Sequence, residues 1–431
     1  MMSRDTLAGP CHMDNPGCVA ILRSMAVDSD ILITGGGLNG PCLALALSQA
    51  GLTSTVIDAL PADTRGDDRF DGRSYALALA SARLLQAIGV WEDVKQNAQP
   101  MLEIKASDGR AGEGPAPFFL HFDHAEIEEG PMGYMLEDRF LRHALLTRMA
   151  ADPNITHLSG ARVVAQDTGG PASVTLEDGR SLSGRLLVGA DGRRSGTADR
   201  AGIKRLGWDY GQTALVCSLT HERPHHGIAH QFFMPAGPLA ILPLPGNQCS
   251  IVWTETHAEA ARIQALDDAG YLEELRPRFG DFLGEISLAG KRFTYPLNLT
   301  VANAFVTDRL ALVGDAAHGM HPIAGQGLNA GLKDVGALAE VLTLAKRRGE
   351  DYGRIDVLER YQQWRRFDVT TMVTATETVN RLFSNDNPIL RTMRDIGLGA
   401  VNAMPGLRRG FIREAAGLTG DLPKLLQGRQ I

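Results

Sequence analysis

Short apolar runs that alternate with helix-period segments dominate the first part of the chain. The apolar run at 31–33 and the segment Thr55 to Ile57 predict two strands, and an Ala- and Leu-rich segment from about 38 to 50 predicts a helix between them. A further apolar run at 310–313 ends at a glycine-rich loop that leads into a helix. Strands and helices in this order are typical of an α/β fold with a parallel sheet.

The middle of the chain has a different pattern. Between 202 and 299 apolar and polar residues alternate in short segments, which predicts a separate antiparallel sheet. The predicted strands are 213–219, 230–234, 238–244 and 250–254. Helix-period apolar positions return at 356–382; they are Leu358, Tyr361, Trp364 and Phe367. We therefore expect an α/β domain, an inserted sheet and a C-terminal helical region.

The composition limits which binding partners and which cellular compartment we expect. With 431 residues, 44% hydrophobic and 22% charged, the chain can bury a large core in two domains. A net charge of −7 without a long basic tract excludes nucleic acid as an expected partner. The five cysteines are scattered, odd in number and without a Cys-x-x-Cys pair, so we expect a cytoplasmic protein with no disulfide and no metal site.

The segment 1–24 lacks the regular pattern of the rest of the chain. It contains prolines and a single short apolar run, whereas the regular pattern begins after Met25. We expect this segment to be disordered or to reflect a mis-assigned start. Cys11, His12 and Cys18 lie in it and do not predict a metal site.

A glycine fingerprint follows the first predicted strand. Its residues are Gly35, Gly37, Leu38, Asn39 and Gly40, and Asp58 ends the second strand. Loop N–H groups at a helix start suit a pyrophosphate, and a carboxylate at the next strand end suits ribose hydroxyls. The arrangement predicts a bound dinucleotide, either NAD or FAD.

A second glycine-rich loop comes after the strand at 310–313. Asp315 can accept hydrogen bonds from ligand hydroxyls, and Gly325, Gly327 and Gly331 let the backbone approach a flat ring. The start of the next helix adds a partial positive charge. The loop therefore predicts a cofactor with both hydroxyls and a ring.

This loop closely resembles the second flavin-binding motif of the aromatic-ring flavoprotein monooxygenases, and most of all that of the ubiquinone-biosynthesis hydroxylases. The family pattern is Gly-Asp-Ala-Ala-His, then His-Pro, then Ala-Gly-Gln-Gly-Leu-Asn. The matching residues are Gly314, Asp315, Ala316, Ala317, His318, His321, Pro322, Ala324, Gly325, Gln326, Gly327, Leu328 and Asn329. Because Rossmann dehydrogenases lack this motif, it favours FAD over NAD.

The resemblance covers nearly the whole chain after residue 28 and implies roles for further residues. Arg73 would lie near the flavin, with a solvated arginine at a helix start as the alternative, and Arg142 would help to hold the cofactor. Asp138 stands where the family usually has Asn, which weakens any role for this position. Asp191, in a Gly-Ala-Asp-Gly segment, would contact FAD.

Other roles are less determined by the resemblance. A family arginine after the Asp191 segment is absent, and whether Arg193, Arg194 or Arg200 replaces it stays open. We assign Pro322 and His321 to the catalytic site, Pro322 as the residue that excludes solvent from the reactive face. A loop histidine is as often structural as catalytic, so no base is assigned.

The resemblance also implies a domain division. Residues 25–98, 132–201 and 300–350 would form a Rossmann-like FAD-binding domain, and 99–131 with 202–299 would form the substrate domain. Residues 351–431 would form C-terminal helices. The apolar face at 237–244 would line a pocket for an aromatic substrate or simply pack a sheet.

The implied activity is hydroxylation of a polyprenylated phenol in ubiquinone biosynthesis. NAD(P)H would reduce FAD, and a flavin C4a-hydroperoxide formed with O2 would deliver one oxygen atom to the ring. Two alternatives stay open: a hydroxylase of another aromatic compound, and a non-catalytic flavin-binding scaffold of a quinone-biosynthesis complex.

The tail from residue 387 onward carries seven Lys or Arg against three Asp or Glu, interleaved with apolar residues. This pattern suits contact with a membrane surface or with other ubiquinone-biosynthesis proteins. Packing against the FAD-binding domain is the alternative. We therefore expect a cytoplasmic protein that is peripheral at the inner membrane.

Overall fold

A computed structural model describes residues 27–65, 72–112, 114–320, 325–384 and 397–431. The expectations for residues 1–24, for His321 and for Pro322 lie outside the described residues. In the described part, the fold is the expected α/β architecture, with a parallel sheet, a second large sheet and C-terminal helices.

The strands and helices have these bounds. The strands are Ser29–Thr34 (β1), Ser54–Asp58 (β2), Ser74–Ala78 (β3), Gln99–Met101 (β4), Glu103–Arg110 (β5), Gly114–Asp123 (β6), Gly133–Glu137 (β7), Ile155–Ser159 (β8), Val163–Asp167 (β9), Ala172–Leu176 (β10), Ser181–Gly189 (β11), Arg205–His221 (β12), Ile228–Met234 (β13), Gly237–Leu244 (β14), Gln248–Thr256 (β15), Ile286–Leu288 (β16), Phe293–Ala302 (β17), Val306–Thr307 (β18), Leu310–Leu312 (β19) and His318–Gly319 (β20). The α-helices are Asn39–Ser48 (α1), Ala62–Arg65 (α2), Leu79–Ala87 (α3), Trp91–Val94 (α4), Asp138–Ala151 (α5), Gly196–Arg200 (α6), His257–Gln264 (α7), Asp268–Phe279 (α8), Gln326–Arg347 (α9), Ile355–Phe383 (α10) and Pro405–Ala415 (α11).

The first sheet has a parallel centre in the order β19-β11-β1-β2-β8. Ile31, Leu32 and Ile33 of β1 are all fully buried, because helices cover both faces of a parallel sheet. Short antiparallel strands, β18 and the pair β9 and β10, extend it. Since its parallel strands run in one direction, their carboxyl ends meet at one edge.

The second sheet joins two distant parts of the chain. Its order is β20-β17-β12-β15-β14-β13-β5-β6, with β16 on β12, so residues 103–123 pair with the strands between 205 and 302. The expected antiparallel pairing holds except between β5 and β13, which are parallel. These two strands come from separate chain segments, so no hairpin turn constrains their relative direction.

The two faces of this sheet have different neighbours. On one face, the buried Trp253 packs with Tyr271, Leu275 and Phe279 of α8. On the other, Leu244 packs with Met101 and Met135 of the small sheet β3-β7-β4. The second face is therefore the one turned toward the parallel domain.

The C-terminal helices brace the parallel sheet and the second sheet. Within α10, the buried Tyr361 hydroxyl donates to the Leu312 carbonyl at 2.8 Å. The short helix α11 buries Ile412, and its Arg408 pairs with Glu126 at 2.8 Å. Of the helices in the described ranges, none combines the length and apolar character needed to cross a membrane.

Candidate functional site

The three sequence motifs meet at one edge of the parallel sheet. Gly35 follows β1, Asp58 ends β2, Asp191 follows β11 and Gly314 follows β19. These four strands are parallel neighbours in the order β19-β11-β1-β2. Ligands of open α/β sheets bind at this edge, so the topology brings the predicted cofactor residues together.

The glycine loop has a closed side and an open side. Gly35 has φ of +109°, and a Cβ there would overlap the Ala190 carbonyl oxygen, while a Cβ at Gly40 would overlap the Gly35 carbonyl oxygen. A Cβ at Gly37 would meet nothing within 4 Å. Close packing on one side and open space on the other, at the start of α1, fit a pyrophosphate.

Asn39 links the glycine loop to the second flavin motif. A Cβ at Gly314 or Gly331 would overlap the Asn39 side chain, which therefore fills the space between these two glycines. Its buried Oδ1 has no hydrogen-bond partner among the described residues. A buried acceptor without a partner is costly, so this atom fits a ligand donor. Leu38, just before it, packs against the main core.

Asp58 lies against the glycine loop as expected. Its side chain is buried, and Oδ1 accepts from the Leu60 N–H at 3.1 Å. A Cβ at Gly36 would overlap its Oδ2, so the carboxylate lies directly beside the loop. Its bond to a ribose hydroxyl stays a prediction.

Asp315 lies in the single 3₁₀ turn Gly314–Ala316 that follows β19. Its Oδ2 accepts from Arg193 Nε at 3.0 Å, and both side chains are 36% exposed. Arg193 also donates to the Met320 carbonyl at 3.3 Å. The sequence left Arg193 open. Its position two residues after Asp191 indicated that it lies near the site. Its pairing with Asp315 could not be predicted, because the two residues meet only in the folded chain.

The buried carboxylate of Asp334 fixes the Gly314 turn in position. Asp334 Oδ2 accepts from the Gly314 N–H at 2.8 Å and lies 2.6 Å from His318 Nε2, while Oδ1 accepts from Arg365 Nε at 2.7 Å. Burial alone would raise the pKa of Asp334, but His318 and Arg365 hold that pKa below its usual value. His318 is thus a structural residue of the motif.

Sequence reasoning missed Asp334 and Arg365. Asp334 lies on the apolar face of α9 and Arg365 on that of α10. A charged residue at a helix-period apolar position needs a buried partner, and this was the sequence signal that could have predicted the pair. Arg365 is 1% exposed and also pairs with Asp368 at 2.6 Å. The network therefore ties two C-terminal helices to the Gly314 turn.

The Gly325 loop is held by Asn329. Gly325 has φ of +64° and precedes α9, and Gln326 and Leu328 are half-buried. The Asn329 amide accepts from the Ala78 N–H and the Ser81 hydroxyl and donates to the carbonyls of Ala76 and Gly325. All bonding groups of its side chain are thus used within the protein and position the loop, and a contact of Asn329 with the cofactor stays a prediction. A Cβ at Gly327 would meet nothing within 4 Å, which leaves this side open to a ring.

Asp138 holds both predicted arginines. Arg142 makes bidentate bonds to it, the shortest 2.6 Å, and an Arg73 nitrogen lies 3.5 Å from it. The Tyr75 hydroxyl donates to the same carboxylate at 2.9 Å. The buried Arg142 Nη1 has no partner among the described residues, so one donor stays available to an anionic ligand. Asp138 stands where the family usually has Asn, and the sequence therefore assigned it no firm role. In the structure it orients Arg142 and Arg73.

Asp191 uses its carboxylate within its own loop. It accepts from the Ser195 hydroxyl and from the Thr197 N–H and hydroxyl, the latter two at 2.9 Å. These bonds fix the segment on which Gly35 packs. A direct contact of the Asp191 side chain with FAD stays a prediction.

Comparison with known proteins agrees with this geometry. The family model described as an FAD binding domain matches residues 28–376. The ubiquinone hydroxylase UbiL of Rhodospirillum rubrum is 46% identical over 433 residues, which cover 99% of each chain. The 3-demethoxyubiquinol 3-hydroxylase of Escherichia coli is 35% identical over 90% of this chain and 99% of its own.

A solved structure supports the fold. The p-nitrophenol 4-monooxygenase PnpA of Pseudomonas putida superposes with a TM-score of 0.75, covering 91% of this chain and 98% of its own at 20% identity. At this identity the likeness shows the fold alone.

The Asp334 network predicts both a loss of stability and a change in its pH dependence. Asp334→Asn leaves the buried Arg365 poorly compensated, so we expect the free energy of unfolding to fall by about 3 kcal/mol. Because the folded-state pKa of Asp334 is lowered, its stabilisation is present above about pH 4 and is lost as the pH falls through that folded pKa.

Unfolding by urea at several pH values measures both effects. The wild type should lose more stability than Asp334→Asn on acidification below about pH 4. The matched control is Asp368→Asn, since Asp368 pairs with the same arginine but is 24% exposed, and its effect should be smaller. Equal losses for the two variants would contradict this role of Asp334.

Proposed function

The chain belongs to the ubiquinone-biosynthesis hydroxylases, a family of FAD-dependent aromatic monooxygenases, and we propose that it hydroxylates the ring of a polyprenylated phenol with NAD(P)H and O2. The observation that carries this is the 46% identity to a ubiquinone hydroxylase over 99% of the chain, and the convergence of three motifs on one sheet edge agrees with it. FAD is the cofactor and NAD(P)H the reductant.

The residues of the site fit FAD. Reduced FAD supplies the activation of O2 that a closed-shell phenol requires. The glycine loop would hold the pyrophosphate, Asn39 Oδ1 would accept from a hydroxyl or N–H of the cofactor, and Asp315, fixed by Arg193, would accept from its hydroxyls. The N–H groups at the start of α9, from Gln326 onward, would stabilise negative charge on the reduced ring.

The two catalytic assignments keep their sequence-based roles in this proposal. Pro322 would exclude water from the reactive face, and His321 would belong to the catalytic site without an assigned role as a base. In the sequence both follow Met320, whose carbonyl accepts from Arg193, the partner of Asp315. No base is assigned, because an electron-rich phenol needs mainly to be positioned.

An apolar cluster beside the Gly314 turn is consistent with a hydrophobic substrate. Leu299, Met320 and Ala330 are buried together, and Tyr210 and Met372 pack against them. The cluster touches the site through Met320, next to the carbonyl that Arg193 binds. We propose that the prenyl chain or the ring of the phenol packs here, since an apolar wall favours such a ligand over a polar one.

A polyprenylated substrate also requires contact with lipid, so we propose that the enzyme works at a membrane surface. The basic tail was the sequence basis for this expectation. In the structure, however, Arg408, Arg413 and Lys424 of the tail all pair with acidic residues of the chain itself. Their charges are therefore largely compensated within the protein.

Removal of Asp315 should weaken FAD binding before it affects the fold. Loss of charge-assisted bonds to cofactor hydroxyls costs about 1.5–3 kcal/mol, so Asp315→Ala should bind FAD roughly tenfold to a hundredfold more weakly. Fluorescence titration of the apoprotein with FAD measures this. Asp199→Ala is the control, because Asp199 also pairs with an arginine but is exposed. An Asp315→Ala variant with wild-type FAD affinity would contradict the assignment.

Deletion of the gene in its host tests the proposed activity. Mass spectrometry of the quinone lipids should show a lost ubiquinone pool and a prenylated precursor that lacks one oxygen atom. The wild-type gene and Asp199→Ala should restore the pool, whereas Asp315→Ala should not. An unchanged pool after deletion would contradict the proposal. Substrate-dependent oxygen uptake with NAD(P)H separates a hydroxylase from a flavin-binding scaffold, which would show none.

A further inference from the structure

Two apolar side chains at the start of β12 are exposed beside the candidate site. Leu206 is 72% exposed and Trp208 is 45% exposed. They are alternate residues of one strand and so share a face, with Val301 of β17 opposite Leu206. Gly207 lies so close to the Leu299 carbonyl that no side chain fits there, so the two backbones approach closely. Leu206, Trp208 and Val301 form a surface that we call the β12 patch.

Cations border the β12 patch. Lys204 and Arg194 are exposed, and neither has an ion-pair partner among the residues that the structure describes. Arg205 Nη1 donates to the Arg193 carbonyl at 2.6 Å, which places the Arg194 segment next to the start of β12. Of the neighbouring acids, Asp199 pairs with Arg205, and the exposed Asp209 is hydrogen-bonded to His257. Lys204 and Arg194 outnumber Asp209, so the charge balance at the border of the patch is positive.

The β12 patch is continuous with the site. The rings of Trp208 and Tyr210 lie 6.4 Å apart in an edge-on arrangement. Tyr210 packs against the cluster of Leu299 and Met320, and the Met320 carbonyl is bound by Arg193, the partner of Asp315. A series of apolar contacts thus connects the protein surface with Met320, beside the Gly314 turn.

We propose that the β12 patch rests in the headgroup boundary of an anionic bilayer and that the prenyl chain of the substrate enters the site there. An exposed Trp and Leu framed by uncompensated cations have the chemistry of an interfacial lipid contact. The inference rests on the proposed function, because a lipid-borne substrate is what requires this contact. The exposed apolar residues of α11 lie by β6, at the opposite end of the second sheet from β20 and β17.

Co-sedimentation of the FAD-loaded enzyme with vesicles tests the contact. The vesicles are an equimolar mixture of phosphatidylcholine and phosphatidylglycerol. The double variant Leu206→Ser/Trp208→Ser should bind them roughly tenfold more weakly than the wild type. Leu407→Ser on α11 and Phe367→Ser on α10 are matched controls, since these side chains are 46% and 76% exposed. Unchanged binding of the double variant, or a loss with Leu407→Ser instead, would overturn the proposal.

A charge variant keeps the test decisive if the double variant folds poorly. Lys204→Glu should weaken binding to the anionic vesicles several-fold and leave binding to pure phosphatidylcholine vesicles unchanged. Equal binding of Lys204→Glu and wild type to anionic vesicles would overturn the proposal.

Turnover measurements separate this inference from the proposed function. The double variant should oxidise a short-chain, water-soluble phenol at the wild-type rate but a polyprenylated phenol in vesicles at least about fivefold more slowly. Equal loss with both phenols would overturn the lipid contact. No turnover of either phenol by the wild type would overturn the proposed function, while the vesicle binding would still decide the contact.

Discussion

The buried Asp334 carboxylate is the interaction on which the site depends. It binds the Gly314 N–H, His318 and Arg365 at the same time, and so joins α9, α10 and the turn after β19. A buried carboxylate is stable only when it is fully paired, and here a guanidinium, an imidazole and a backbone donor provide that pairing. The position of Asp315 therefore depends on side chains from the interior of two helices, away from the ligand edge.

Around Asp334, the loops of the site are held by hydrogen bonds from polar side chains of the protein and do not need the ligand to order them. Asn329 holds the Gly325 loop, Asp191 holds the segment behind Gly35, and Asp138 orients Arg142. Each uses its bonding capacity within the protein. The atoms left without partners in the described part, such as Asn39 Oδ1 and Arg142 Nη1, lie among the residues expected to hold FAD. A site of this kind is organised before the cofactor binds.

The sequence predicted the elements whose signals are local. The glycine fingerprint, the strand at 310–313 and the helical spacing at 356–382 correspond to β1 with α1, β19 and α10. The roles of Asp334 and Asp138 could not be predicted in this way, because their partners are set by how helices and strands pack in three dimensions. The parallel pairing of β5 with β13 likewise depends on two segments that are far apart in the chain. For Asp191 and Asn329 the sequence located the residue, but only the fold shows that the side chain is bound by the protein itself.

The most direct test of the central claim follows the oxygen atom. The purified FAD-loaded enzyme is supplied with NAD(P)H, a prenylated phenol and isotopically labelled dioxygen, and the product is analysed by mass spectrometry. A hydroxylase of this family should give a product with one labelled oxygen atom on its ring. A product whose new oxygen comes from water, or no product although FAD is fully bound, would contradict the claim.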